Sequence, residues 1–156
     1  MINNKRLSIA LIAMIAICIA TIFIVFVSWN KPKEITINID RIKSGEIIGN
    51  VDACKISKDY IYVKGWIFPK YKYYGVYKPN TYVVINSTGF FYKINTVRDD
   101  SRTDVTSFYS SHNRNYDLTG YMASSRLSVF GLNPSKEIYI VTEFNGITKG
   151  MKYVCK

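Results

Sequence analysis

Three observations predict an all-β fold, an antiparallel β-sandwich of about eight strands behind one N-terminal transmembrane helix. After residue 30, short runs rich in Ile, Val, Tyr and Phe alternate with Gly, Asn, Ser and Pro turns. No helical apolar stripe of useful length follows that point. Residues 7–29, by contrast, contain no charged side chain.

The apolar run comes first in the chain. As a helix, residues 7–29 reach about 34 Å, enough to cross a hydrocarbon core of about 30 Å. The run exceeds the roughly 7–15 apolar residues of a cleavable signal peptide. Its best small pair, Cys18 and Ala20, is followed by seven more membrane-compatible residues, 21–27. For cleavage after Ser28, Phe26 would occupy a position that wants a small residue. Ile17 before Cys18 speaks against lipoprotein processing. An uncleaved anchor is expected, because a helix apolar on all faces otherwise needs a large protein around it.

Lys5 and Arg6 precede the run; Lys31, Lys33, Arg41 and Lys43 follow it, among Glu34 and Asp40. Acidic residues count little in setting topology, so charge alone is nearly balanced. A six-residue head before a long apolar run is the signal-anchor layout, with the N-terminus inside. The expected organisation is a cytoplasmic head over 1–6, a transmembrane helix over 7–29, a connector over 30–33 and an extracytoplasmic sandwich over 34–156. Trp29 in the connector region belongs at headgroup depth, where Lys31 and Lys33 can meet lipid phosphates.

Cys18 lies within the apolar run and acts as a small apolar residue. Cys54 and Cys155, near opposite ends of the remainder, are placed for one disulfide. Such a bond persists outside the reducing cytosol and agrees with export of the domain. It is expected to tie the second strand to the last as neighbours.

Residues 34–40 alternate strictly, with isoleucines on one face. Strands are then expected over 51–56 and 60–68 (turn 57–59), and over 81–86 and 90–94 (turn 87–89). Residues 118–130 contain another, centred on 123–130, and the last pair is 137–144 and 147–155, turned at Asn145-Gly146. Residues 103–109 suit a single helical turn. Trp66 is expected as a core anchor. Arg102 and Asp104 alternate on an extended segment or meet on a turn, and are expected to hold the crossing between sheets as a charge-assisted pair; ligand binding by these two is the alternative. Gly120 is expected to permit a backbone conformation that its turn needs.

Gly65-Trp66, then Arg102-Thr103-Asp104-Val105, then Gly120-Tyr121, with hairpins between and after, form an ordered set. The set resembles a small bacterial β-sandwich domain found behind transmembrane segments and at the ends of membrane glycosyltransferases and other cell-surface polysaccharide proteins. The resemblance covers roughly residues 49–155 and rests on motifs of two to four residues. It implies a non-catalytic envelope module and brings no catalytic residue. Tyr121 stands where Phe is more usual, and the Tyr-rich insert at 69–79 lies outside the pattern.

Chemistry has few candidates. His112, the single histidine, sits in a polar loop and reads as solvated. Asp99, Asp100 and Asp104 are flanked by Arg98 and Arg102, which neutralise a cation site. No phosphate loop or zinc-protease motif occurs. The expectation is no enzyme, no metal and no cofactor. Only Lys5 and Arg6 of the 21 basic residues precede the run, and all 11 acidic ones follow it, so the exported part is strongly basic. Outside the cytoplasm this favours anionic glycan or lipid headgroups over nucleic acid. The densest basic and aromatic patch is Lys70, Tyr71, Lys72, Tyr73, Tyr74, Tyr77 and Lys78, between Pro69 and Pro79. Tyrosine offers a flat apolar face and a hydroxyl, and lysine meets anions. The expected function is an accessory or recognition module of the bacterial inner membrane, serving cell-surface polysaccharide or a membrane glycosyltransferase. The alternative is a phage-encoded superinfection-exclusion or other protein-interaction factor.

Overall fold

A computed structural model describes residues 4–38, 42, 47–70, 75–76, 78–99, 102–109, 114–144 and 146–156. The chain begins with helix α1 (Asn4–Asn30). Its apolar side chains are exposed on every face, and Leu7–Asn30 is long and apolar enough to cross a membrane. By length and composition it suits a membrane anchor or a signal sequence.

The strands that follow are β1 (Lys33–Ile35), β2 (Ile47–Ile56), β3 (Tyr60–Pro69), β4 (Gly75–Val76), β5 (Asn80–Ser87), β6 (Phe90–Ile94) and β7 (Thr96–Asp99). After helix α2 (Thr103–Tyr109) come β8 (Arg114–Asn115), β9 (Gly120–Arg126), β10 (Pro134–Phe144) and β11 (Ile147–Val154). Nine of them form two antiparallel sheets, ordered β1-β6-β5-β10-β11 and β2-β3-β9-β7. The fold is an all-β sandwich behind an N-terminal helix, as the sequence predicts. β4 and β8 make a separate parallel pair.

The period of two explains the core. On β3, Ile61, Val63 and Ile67 point inward and are fully buried, alternating with Tyr60, Tyr62 and Lys64. They meet Val83, Ile85, Ile94, Ile138 and Ile140 of the five-stranded sheet. Tyr121 of β9 is fully buried in this layer. A Cβ on Gly65 would lie 2.7 Å from the Tyr121 hydroxyl, so the glycine on β3 makes room for the phenol.

The five-stranded sheet is buried on both faces. Tyr82, Val84, Tyr139 and Val141 point away from the sandwich core but are covered by Ile35, Ile37, Ile42 and Phe91. The segment leaving α1 therefore crosses this sheet as a strap. It pairs with β6 at one edge and brings Ile42 against Gly150 of β11 at the other.

Several elements differ from expectation. The alternation at 34–40 yields a strand only as far as Ile35, because Ile37 leaves the ladder to cover the sheet; residues 39–40 lie outside the described residues. The strand expected within 118–130 runs from Gly120 to Arg126 and so is centred earlier than 123–130; residues 128–130 instead coil into a 3-10 turn closed by Gly131 at φ 64°. β4, β7 and β8 are additional. Cys54 and Cys155 do form the disulfide, with Cα atoms 5.4 Å apart. They are neighbours across the sandwich rather than within one sheet: Cys54 is on edge strand β2 and Cys155 follows edge strand β11.

Candidate functional site

The end of α1 is built into the domain. Its last carbonyls need acceptable partners. The Asn95 side-chain amide, between β6 and β7, donates to the Trp29 carbonyl at 3.2 Å, and the Ser125 hydroxyl of β9 donates to the Asn30 carbonyl at 2.8 Å. Within the helix, the Asn30 side chain donates to the Phe26 carbonyl and the Lys31 amide to that of Val27, each at 2.9 Å.

Beside this junction opens a cleft of about 660 Å³, lined by Trp29, Lys31, Lys33, Tyr82, Lys93 and Glu143 among others. Lys33 and Lys93 are direct Cα partners across β1 and β6. The Lys93 ammonium lies 3.9 Å from the centroid of the Tyr82 ring, a cation–π contact that fixes its position. The Tyr82 hydroxyl donates to one Glu143 oxygen at 2.8 Å, and the Asn80 amide donates to the other at 3.1 Å. Burial, then the Glu143 carboxylate, push the Tyr82 phenol well above its ordinary range, so it stays a donor.

A second concavity, of about 300 Å³, lies on the outer face of the four-stranded sheet near the same helix end. Tyr60 and Tyr62 of β3 and Ser124 and Arg126 of β9 line it. The register places Tyr60 opposite Arg126 and Tyr62 opposite Ser124. Lys55 lies 5.6 Å from the centre of the Tyr60 ring, and the Tyr62 hydroxyl approaches the Met122 sulfur at 3.7 Å. Two half-exposed aromatic faces, one guanidinium and one hydroxyl thus share a small surface. Alternation in the sequence marks Tyr60 and Tyr62 only as outward-facing; the pairing with β9 is what collects the group.

The sequence-predicted motif residues form a clasp and a satellite core. Arg102 donates to both oxygens of Asp104, at 2.9 and 2.7 Å, and also reaches Asp52 of β2. Its side chain is only 11% exposed. The clasp therefore ties the start of α2 to the far edge of one sheet, and does not bridge the two sheets as expected. Asp104 holds a pKa below the usual carboxylate range, chiefly through the Arg102 hydrogen bonds. Lys64 of β3 pairs with Asp99 of β7 at 2.8 Å beside it.

Gly120 has an ordinary extended backbone at φ −68°, ψ 146°, so its expected conformational role is corrected. Its role is space: a Cβ there would lie 2.4 Å from the Asp99 carbonyl and 2.7 Å from the Arg102 Cγ. Trp66 is likewise outside the inter-sheet core, because its even position on β3 faces outward. It stacks on Phe68 (ring centroids 5.6 Å apart) and meets Tyr109 of α2, in a cluster with Val105 and Tyr116. Burial drives the Tyr121 phenol up, and its hydroxyl has no hydrogen-bond partner among the described residues.

Of the tyrosine-rich patch, Lys70 and Lys78 are exposed and flank β4, which pairs with β8. Tyr71, Lys72, Tyr73, Tyr74 and Tyr77 lie outside the described residues, as do Asp100 and His112. Among the described residues, no three His, Cys, Asp or Glu side chains gather as a metal site. Comparison with protein-family models, with curated proteins and with solved structures finds no match to this chain.

Proposed function

We propose that this chain is a non-catalytic, single-span bacterial envelope protein. Its sandwich stands outside the cytoplasm, N-terminus inside, and recognises cell-surface polysaccharide or the membrane glycosyltransferase machinery that handles it. The observation that carries the reading is the Tyr60–Tyr62–Ser124–Arg126 groove beside the end of α1. Aromatic faces stack on the apolar faces of sugar rings, while a guanidinium and a hydroxyl take up hydroxyl or acidic groups. The hydrogen bonds from Asn95 and Ser125 hold the end of α1 against the sandwich, so the domain stands directly at the end of the anchor. The disulfide supports an oxidising compartment.

Full-length protein in mild detergent, presented with acidic and neutral bacterial surface polysaccharides, tests the reading. Binding that weakens with salt and falls at least tenfold in Tyr62→Ser and Arg126→Gln is the expected result. Binding unchanged in both variants, or no glycan bound and one-to-one capture of another membrane protein, overturns it; the second result establishes the exclusion or protein-interaction alternative.

A further inference from the structure

We infer that the cleft at the end of α1 is a site for the phosphate of an anionic lipid headgroup, held by Lys31, Lys33 and Lys93. The inference rests on the membrane-anchor reading above, and not on the glycan groove.

The first observation is the register. Lys33 and Lys93 stand directly opposite each other on β1 and β6, an arrangement that disfavours strand pairing between like charges. An anion between them converts the repulsion into attraction. Second, Lys31 leaves the last turn of α1 and lines the same cleft. Among the described residues, none of the three lysines has a carboxylate ion pair. Glu143, which shares the cleft, has one oxygen engaged by Tyr82 and the other by Asn80. Third, the Lys93 ammonium lies over the Tyr82 ring, which places its charge in the cleft.

Depth selects the source of the phosphate. The apolar span runs to Asn30, and Trp29 is 64% exposed at its end. Tryptophan marks the interface, so the lysines meet the bilayer at headgroup level, where lipid phosphate is abundant. Three ammonium groups repel a choline and favour a headgroup of net negative charge. The open cleft admits the headgroup from the side, with its acyl chains lying along α1.

The test uses full-length protein reconstituted in vesicles of phosphatidylcholine with one-tenth phosphatidylglycerol, then extracted gently for native mass spectrometry of retained lipid. Retention of phosphatidylglycerol at least tenfold above its share is expected. The double variant Lys33→Gln, Lys93→Gln should lose it, and Lys33→Arg, Lys93→Arg should keep it. An oxidised disulfide on a non-reducing gel shows that each variant has folded. Equal retention of both lipids, or no loss in the Gln variant, overturns the site. Displacement of the lipid by millimolar inorganic phosphate assigns the cleft to soluble phosphate and overturns the lipid source. Failure of the protein to float with vesicles overturns the anchor reading itself, which the other outcomes leave standing.

Discussion

Gly120 and Arg102 show how much one position can depend on another. The glycine carries no unusual φ, yet alanine there would place a methyl 2.4 Å from the Asp99 carbonyl and against the Arg102 stem. Gly120→Ala is expected to cost about 1–3 kcal/mol, as overpacking does, read as a lower melting temperature. At Gly131 the added methyl meets nothing within 4 Å and the cost is that of a left-handed φ, about 1 kcal/mol. The clasp also sets an acid limit. Asp104 has a folded pKa below its unfolded value near 3.8, while Arg102 stays charged throughout. A depressed carboxylate contributes stability that is present above the unfolded pKa and is lost as pH falls through the folded one. Melting followed from pH 5 to pH 2 should therefore show a loss below about pH 4 that is smaller in Asp104→Asn. A loss of equal size in that variant would show that other carboxylates set the acid limit. The R-x-D spacing was legible in the sequence, but its third partner, Asp52, was not, because it lies 50 positions away across a β-bulge.

At the scale of elements, alternation was the dependable signal. β3, β5, β6 and β11 fall where Ile, Val and Tyr alternate or cluster between turn residues, and the turn at 57–59 is closed by the Ser57 hydroxyl accepting from the Asp59 and Tyr60 amides. Segments that cover a sheet were harder to read. The isoleucines after α1 keep a strand-like pattern while serving as a lid, and Trp66 faces a second cluster because α2 supplies Val105 and Tyr109 to bury it. The disulfide joins β2 to the end of β11, two edge strands of different sheets. Closing a loop of this length stabilises by up to about 4.7 kcal/mol in the chain-entropy model. Cys54→Ser with Cys155→Ser should lower stability by about 2–4 kcal/mol, measured by denaturant titration in detergent with α1 present. An unchanged midpoint would mean that the two edges hold together without the bond.

For the whole molecule, placement matters more than any single contact. Both concavities, the lysine cleft and the tyrosine groove, adjoin the end of α1, which is held by Asn95, on the link between the two sheets, and by Ser125 of β9. The sequence predicted the helix, the sandwich and the bridge, each from local composition or spacing. It did not reveal the two concavities, because each collects residues from strands joined only by long-range pairing: Lys33 with Lys93, and Tyr60 with Arg126. The ring closed by Cys54 and Cys155 has a further, mechanical meaning. Tension between α1 and Lys156 passes from the connector and β2 straight through the sulfur bridge to Lys156. β3 through β11 carry none of it along their backbone. The load peels β1 from β6 and then draws out the stretch before Cys54, about 80 Å of extended chain, where it stops. Such a pull ends after a short, fixed stroke that takes β2 from β3 as far as Cys54, because the backbone between the two cysteines lies outside the load path.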